Sequence, residues 1–181
     1  MEHLSIRYAL RSSRSRARGT SLLEAIAYLG VAATIIVGAV ALLTNAFSNA
    51  RANRAQEELA TIGTGVKRLF MSQAGAFGTG SLNDQLASAK VFPSTLSIDP
   101  STGTVLNAWN GAVNVTGNTA TFQVSYGGLP QSVCIELVST TSQWIDVAAN
   151  GGTPVTPPVS LAQAAAACNV ADGNTVVWTG R

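Results

Sequence analysis

Along this chain the pattern of apolar and polar positions changes twice, and each change predicts a different element. From Ala25 to Phe47 the sequence reads AIAYLGVAATIIVGAVALLTNAF, 23 residues without a charge or a proline. As a helix this stretch is about 35 Å long, enough to cross a hydrocarbon core of about 30 Å with some tilt. Gly30 and Gly38 weaken helix propensity locally. Glycine is nonetheless tolerated in membrane helices and lets neighbouring helices approach closely. From Arg51 to Met71 the apolar residues Leu59, Ile62, Val66, Leu69 and Phe70 recur at helical spacing, while Arg51, Arg54, Glu57, Glu58, Lys67 and Arg68 fall mostly on other positions. This second pattern predicts an amphipathic continuation of the same helix, with one stripe packed on a globular domain. Gly63 and Gly65 are candidate kinks, and Gly75, Gly78 and Gly80 end the helix. A helix of about 50 residues, half bare and half packed, is unusual for a monomer. Its bare half must be buried in lipid or against other copies of itself.

Beyond Gly80 the periodicity shortens. Ser81-Leu82-Asn83-Asp84 resembles a capping box with Asp in the Glu/Gln place, and Leu82, Leu86 and Ala89 follow at helical spacing. Pro93 and Asp99-Pro100 punctuate a loop. Ala112–Thr116 and Thr119–Tyr126 flank Gly117-Asn118, which predicts a two-residue hairpin. Phe122, Val124 and Tyr126 alternate, so one sheet face is expected to pack on the helix stripe. Pro130 suits the first turn of a helix carrying Val133, Cys134, Leu137 and Val138 on one side. Trp144–Ala148 reads as a strand, Asn150–Pro158 as an exposed loop, and Leu161–Ala167 as an alanine-rich helix. Gly173-Asn174 turns into a last strand, Thr175–Trp178. The expected fold is α+β: a long N-terminal helix, membrane-spanning in one half and amphipathic in the other, packed against an antiparallel sheet. Trp109 stands alone beside a strand; a ligand platform is one reading, and core is the more frequent fate of such a residue.

Charge changes the reading of the N-terminus. Arg7, Arg11, Arg14, Arg16 and Arg18 lead up to Gly19-Thr20-Ser21-Leu22-Leu23-Glu24, after which no charge appears until Arg51. Lys and Arg hold their flank of a membrane span in the cytoplasm, which favours a topogenic role over a generic basic tail. Residues 1–19 hold five of the eleven Lys+Arg and one of the nine Asp+Glu, which leaves six basic and eight acidic residues beyond them, a formal −2. The overall +2 is therefore a property of the leader and does not argue for nucleic-acid binding. A secretory signal peptide places its apolar segment before the cut and loses it. Here the basic segment would be lost and the apolar helix kept. Glu24 is the one carboxylate near the tip of that helix, and it costs several kcal/mol if desolvated without a partner. Stabilisation by the helix N-terminus at the membrane surface is the plainer account. The sharper one is an intermolecular pair with the α-amino group that cutting after Gly19 creates on Thr20.

The junction Gly19-Thr20-Ser21-Leu22-Leu23-Glu24 followed by an apolar run resembles the prepilin peptidase site of type IV pilins and pseudopilins. The resemblance covers roughly residues 14–50. It implies cleavage after Gly19, N-methylation of Thr20, and an assembly role for Glu24 as fifth residue of the mature chain, meeting a neighbour's N-terminus. Threonine rather than phenylalanine at the mature N-terminus, after a leader of 19 residues, looks like the type IVb subclass. Gln131-Ser132-Val133-Cys134 and a late cysteine before a final apolar strand also resemble that subclass. The implied division is a leader at 1–19, a membrane and filament-core helix at 20–50, and a globular domain at 51–181. The implied function is the structural subunit of a type IVb pilus serving adhesion, conjugation or aggregation. Its implied partners are further copies of itself, prepilin peptidase, an inner-membrane assembly platform with its ATPase motor, and the membrane before assembly. The precursor is expected in the bacterial inner membrane with its C-terminal domain in the periplasm, and the product at the cell surface. A minor pilin or a type II secretion pseudopilin shares the same junction. A membrane-anchored periplasmic enzyme or binding module with an uncleaved anchor is the alternative of another class.

Cys134 and Cys168 are the two cysteines, and both fall after the span. In an oxidising exported compartment they are expected to pair, closing a loop of about 35 residues worth about 4 kcal/mol in the chain-entropy model. Two unrelated buried thiols are the alternative. A metal site is disfavoured, because the single histidine, His3, lies in the leader. The same lack of histidine beyond the leader removes Ser-His and Cys-His nucleophile pairs. Asp84, Asp99, Glu136, Asp146 and Asp172 are scattered, and the Gly78-Thr79-Gly80 and Thr102-Gly103-Thr104 loops lack the Gly-Lys-Ser/Thr of a phosphate-binding loop. The sequence thus predicts no enzyme, no cofactor and no direct nucleic-acid binding.

Overall fold

The computed structural model describes residues 21–73, 76–99 and 101–181. The chain divides into two units, Met1–Leu43 and Thr44–Arg181. Helix α1 runs Leu22–Phe70, and a short 3₁₀ turn follows at Met71–Gln73.

The second unit is built on the amphipathic part of α1. Ala52, Ala55, Leu59, Ile62 and Val66 are buried there, as their spacing of three and four residues requires. Leu69 departs from the expected stripe and is 37% exposed, whereas the next residue, Phe70, is buried. The helix runs on through Gly63 and Gly65 to Phe70. They are sites of close approach: a Cβ on Gly63 would meet the Trp144 ring at 3.1 Å, and one on Gly65 would collide with the Val91 side chain. The bare helix surface at these two positions lets an indole and a valine seat directly on the backbone.

After α1 come β1 (Thr79–Ser81), α2 (Asn83–Ser88), β2 (Ser97–Ile98), β3 (Val105–Leu106), β4 (Ala112–Asn118) and β5 (Thr121–Leu129). Then follow α3 (Gln131–Thr140), β6 (Asp146–Ala149), α4 (Leu161–Ala167) and β7 (Asn174–Gly180). The strands form one antiparallel sheet in the order β2-β3-β4-β5-β7-β6, with β1 added on β4. Val113 and Val115 on β4, Phe122, Val124 and Tyr126 on β5, and Val176 and Trp178 on β7 point into the same core as the α1 stripe. An aromatic run, Phe70 to Phe77 to Phe122 to Trp144, links the end of α1 to the sheet, with ring centroids 5.7, 4.9 and 5.8 Å apart.

Two turn expectations are corrected. The hairpin turn is Thr119-Ala120, with Asn118 paired to Thr121, and Gly117-Asn118 belong to β4. Gly117 is needed because the Phe77 carbonyl passes where its Cβ would stand, as β1 lays Gly80 opposite Gly117. The capping box expected at Ser81–Asp84 does not form; Leu82 is the N-cap of α2 and Ser81 is in β1. Asn83 points inward instead, accepting from the Val115 N–H (2.8 Å) and donating to the Val113 carbonyl (3.0 Å). The reciprocal box sits on α4, where the Ser160 hydroxyl accepts from the Gln163 N–H and the Gln163 side chain accepts from the Ser160 N–H.

Candidate assembly surface

The first unit offers almost nothing to its own chain. Leu22, Leu23, Ile26, Leu29, Ile35 and Val37 are all exposed, and no part of the most apolar 18-residue window of the helix is buried. By length and composition this helix is able to cross a membrane. So long an apolar surface needs a partner, whether lipid or protein. Glu24 lies in the first turn of α1, exposed, and its Oε1 accepts a hydrogen bond from the Tyr28 hydroxyl one turn on (3.2 Å). The spacing of four residues was visible in the sequence, yet Tyr28 reads as one more apolar residue unless its hydroxyl is weighed. Gly19, Thr20 and the leader arginines lie outside the described residues.

Cys134 on α3 and Cys168 at the end of α4 form a disulfide, with Cα atoms 5.9 Å apart. Around it lies a polar knot of amide side chains. Asn174, fully buried, donates to the carbonyls of Leu129 (3.1 Å) and Val170 (2.6 Å). Asn150 donates to the Asn174 Oδ1 (2.8 Å) and accepts from the Thr175 N–H (3.0 Å). Gln131 reaches the Cys168 carbonyl through its Nε2 (2.9 Å). These amides tie the loop after β6, the end of α4 and the entry to β7 into one surface. The Asn150–Pro158 segment over them is mostly exposed, as expected.

Trp109 is half-buried, packed against the core on one side while lining a groove on the other with Phe47, Arg51 and Pro130. The core reading of this residue thus holds in part. Its turn is held by Asn107, which accepts from the N–H of Trp109 (2.9 Å) and Gly111 (3.0 Å) and donates to the Gly127 carbonyl (2.9 Å).

Glu58 is the charged residue that sequence reasoning misplaced. It is 4% exposed, inside the domain. Its Oε1 accepts from the Thr95 hydroxyl (2.6 Å) and its Oε2 from the Tyr126 hydroxyl (3.2 Å). Burial, and then the nearby Glu58 charge, push the Tyr126 phenol well above its ordinary value, so it stays a donor. The signal was present: position 58 is three residues from Ala55 and four from Ile62, both on the buried face.

No group of three or more metal-ligating residues occurs among the described residues.

A family model described as "PilS N terminal" matches residues 49–181. No curated protein matches the chain. Among solved structures, the chain is similar to the crystal structure of a type IVb pilin from Salmonella typhi, with 23% identity and a TM-score of 0.53 over 67% of this chain and 96% of that one. It is also similar to TcpA, a type IV pilin from Vibrio cholerae El Tor biotype, with 15% identity and a TM-score of 0.52 over 72% of this chain and 99% of that one.

Proposed function

The chain belongs to the PilS family, with the type IV pilin fold and a likeness to its type IVb members, and from that premise we propose that it is the main structural subunit of a type IVb pilus. The proposed precursor has a basic leader at 1–19, a membrane and filament-core helix at 20–50 and a globular domain at 51–181. It enters the inner membrane with its arginines in the cytoplasm and its C-terminal domain outside. Prepilin peptidase cuts after Gly19 and methylates the new N-terminus at Thr20. The Cys134–Cys168 disulfide, closed outside, locks the globular domain. The assembly platform, driven by an ATPase motor elsewhere, then draws the subunit into a helical filament.

The observation that carries this reading is the bare apolar part of α1 with Glu24 as its one charge. In lipid, or against other copies, that surface is equally well covered, so extraction exchanges one apolar environment for another. Glu24 is the exception. A carboxylate moved away from water needs a positive partner. The Thr20 amine of a neighbouring subunit is the one that processing supplies. The filament then serves adhesion, conjugation or aggregation.

N-terminal mass analysis of the mature protein tests the processing step: a chain beginning at methylated Thr20 is expected, and an intact Met1 in a strain with active prepilin peptidase overturns it. Mass analysis of purified surface filaments tests the main-subunit step. This chain is expected as the dominant component, and a trace amount indicates a minor pilin or a pseudopilin instead.

A further inference from the structure

The charge-free run of the sequence ends at Arg51. There the chain builds a groove of about 370 Å³. Thr44, Phe47, Ser48 and Arg51 line it from one side of α1, and Trp109 and Pro130 line it from the loops ahead of β4 and α3. All six belong to the second unit. No carboxylate lines the groove. The positions three and four residues from Arg51 are Phe47, Ser48, Arg54 and Ala55, so no acid can pair with it along the helix. Its guanidinium has no hydrogen-bond or ion-pair partner among the described residues. Phe47 is 63% exposed.

Trp109 is brought here by a turn fixed from below. Besides the three hydrogen bonds of Asn107, the turn holds Asn110 at φ 63°, and the Gly127 carbonyl passes where a Cβ on Gly111 would stand. The indole N–H of Trp109 is bonded to no protein group among the described residues.

Position along the helix limits what fills this groove. Arg51 lies four residues past Phe47, about 6 Å along the axis. A bilayer with a hydrocarbon core of about 30 Å and a full thickness of about 40–45 Å has an interfacial layer about 5–8 Å deep on each side. With Phe47 at the outer edge of the hydrocarbon, Arg51 stands in that layer. Tryptophan, apolar with one polar end, suits the same depth. A planar guanidinium matches two oxygens of a phosphate. Arg54 lies about 10 Å past Phe47 and does not line the groove.

We propose that this groove is a headgroup site for a phospholipid of the outer leaflet of the membrane that α1 spans. Arg51 pairs with the phosphodiester, Trp109 lies at the level of the glycerol esters, and Phe47 lies along the head of an acyl chain. One cation without an acid favours an anionic headgroup. The inference rests on the membrane reading of α1 and adds a defined lipid contact made by the globular domain.

The test uses the full chain in micelles of a neutral detergent, titrated with phosphatidylglycerol brominated high on one acyl chain. Trp144 and Trp178 are buried, so quenching of the tryptophan emission reports Trp109. Saturable quenching is expected, and Trp109→Phe is expected to abolish it. Arg51→Gln should move the midpoint to about fivefold more lipid. Arg54→Gln, which removes the same charge one turn further out, should leave the midpoint in place. Both arginines are exposed, so neither change touches the core. Diacylglycerol with the same bromines, lacking the phosphate, is expected to quench only at much higher content. Absence of quenching, quenching that survives Trp109→Phe, or equal quenching by the diacylglycerol overturns the proposal. Equal shifts from the two arginine variants overturn it in favour of diffuse attraction to anionic lipid. Inorganic phosphate alone should not change the emission; a change that Arg51→Gln abolishes identifies a free-ion site and overturns it. Loss of surface filaments in Arg51→Gln at an unchanged lipid midpoint identifies a second copy as the occupant and overturns it too. If carbonate strips the chain from reconstituted vesicles, it is the membrane reading that fails; a chain that stays but shows no quenching refutes the headgroup site alone.

Discussion

Residues 22–43 and residues 52–70 are read from the same helix, yet their apolar side chains have opposite fates. In the first stretch Leu, Ile and Val stand exposed all round. In the second, Leu59, Ile62 and Val66 are fully buried, and Arg54, Glu57, Lys67 and Arg68 share the exposed side with polar residues. The difference teaches that hydrophobicity by itself does not say where a residue goes. Periodicity does. A stripe at helical spacing finds its cover within the chain, while a helix apolar on every side must find it in another molecule or in lipid. The glycines obey the same split. Around Gly30 and Gly38 there is open space, whereas Gly63 and Gly65 are filled by Trp144 and Val91.

The comparison is broken most severely through the disulfide. Cys134→Ser with Cys168→Ser is expected to cost about 4 kcal/mol of stability in the globular unit. In detergent the helicity of residues 22–43 should persist after the rest has unfolded, which circular dichroism with hydrogen exchange would read. Next, Leu59→Ala should cost about 3 kcal/mol, since it empties a fully buried site. Leu29→Ala should leave chemical unfolding of the same unit unchanged. A smaller contrast comes from glycine. Gly65→Ala drives a methyl into Val91 and should destabilise by about 1–3 kcal/mol. Gly30→Ala meets nothing in the chain and should favour the helix by up to about 1 kcal/mol.

The mildest effect concerns pH. Tyr126 holds its proton more tightly folded than unfolded. Its contribution is therefore complete below the ordinary tyrosine range near pH 10 and falls as pH rises beyond it. Spectrophotometric titration should find one phenol that ionises only together with unfolding, and Tyr126→Phe should remove that feature.

The long helix, the alternating face of β5 and the buried side of α3 were legible because each repeats a period over several residues. What escaped had the form of single residues acting at a distance. Glu58 reads as surface until Thr95 and Tyr126, 37 and 68 residues away, arrive to satisfy it. Gly63 and Gly65 read only as candidate kinks, because the indole and the valine that need them come from elsewhere in the chain. The hairpin turn slipped to Thr119-Ala120 for a related reason: Gly117 is held in the strand by the β1 edge. Asn83, Asn150 and Asn174 read as cap, loop and turn residues, and only the assembled sheet shows the long-range hydrogen bonds that their amides make.

The Cys134–Cys168 bond has a topological consequence of its own. It spans 34 residues, and within that span lie β6, the Asn150–Pro158 loop and α4. A single cut at Gly151-Gly152 would therefore not release a fragment. Both ends stay on one molecule, held by the bond and by the amides of Asn150 and Asn174. In a polymer under tension, a nick there leaves the strand of subunits unbroken. The exposed Asn150–Pro158 loop can thus be cut, exchanged or lengthened while the bond beneath it holds.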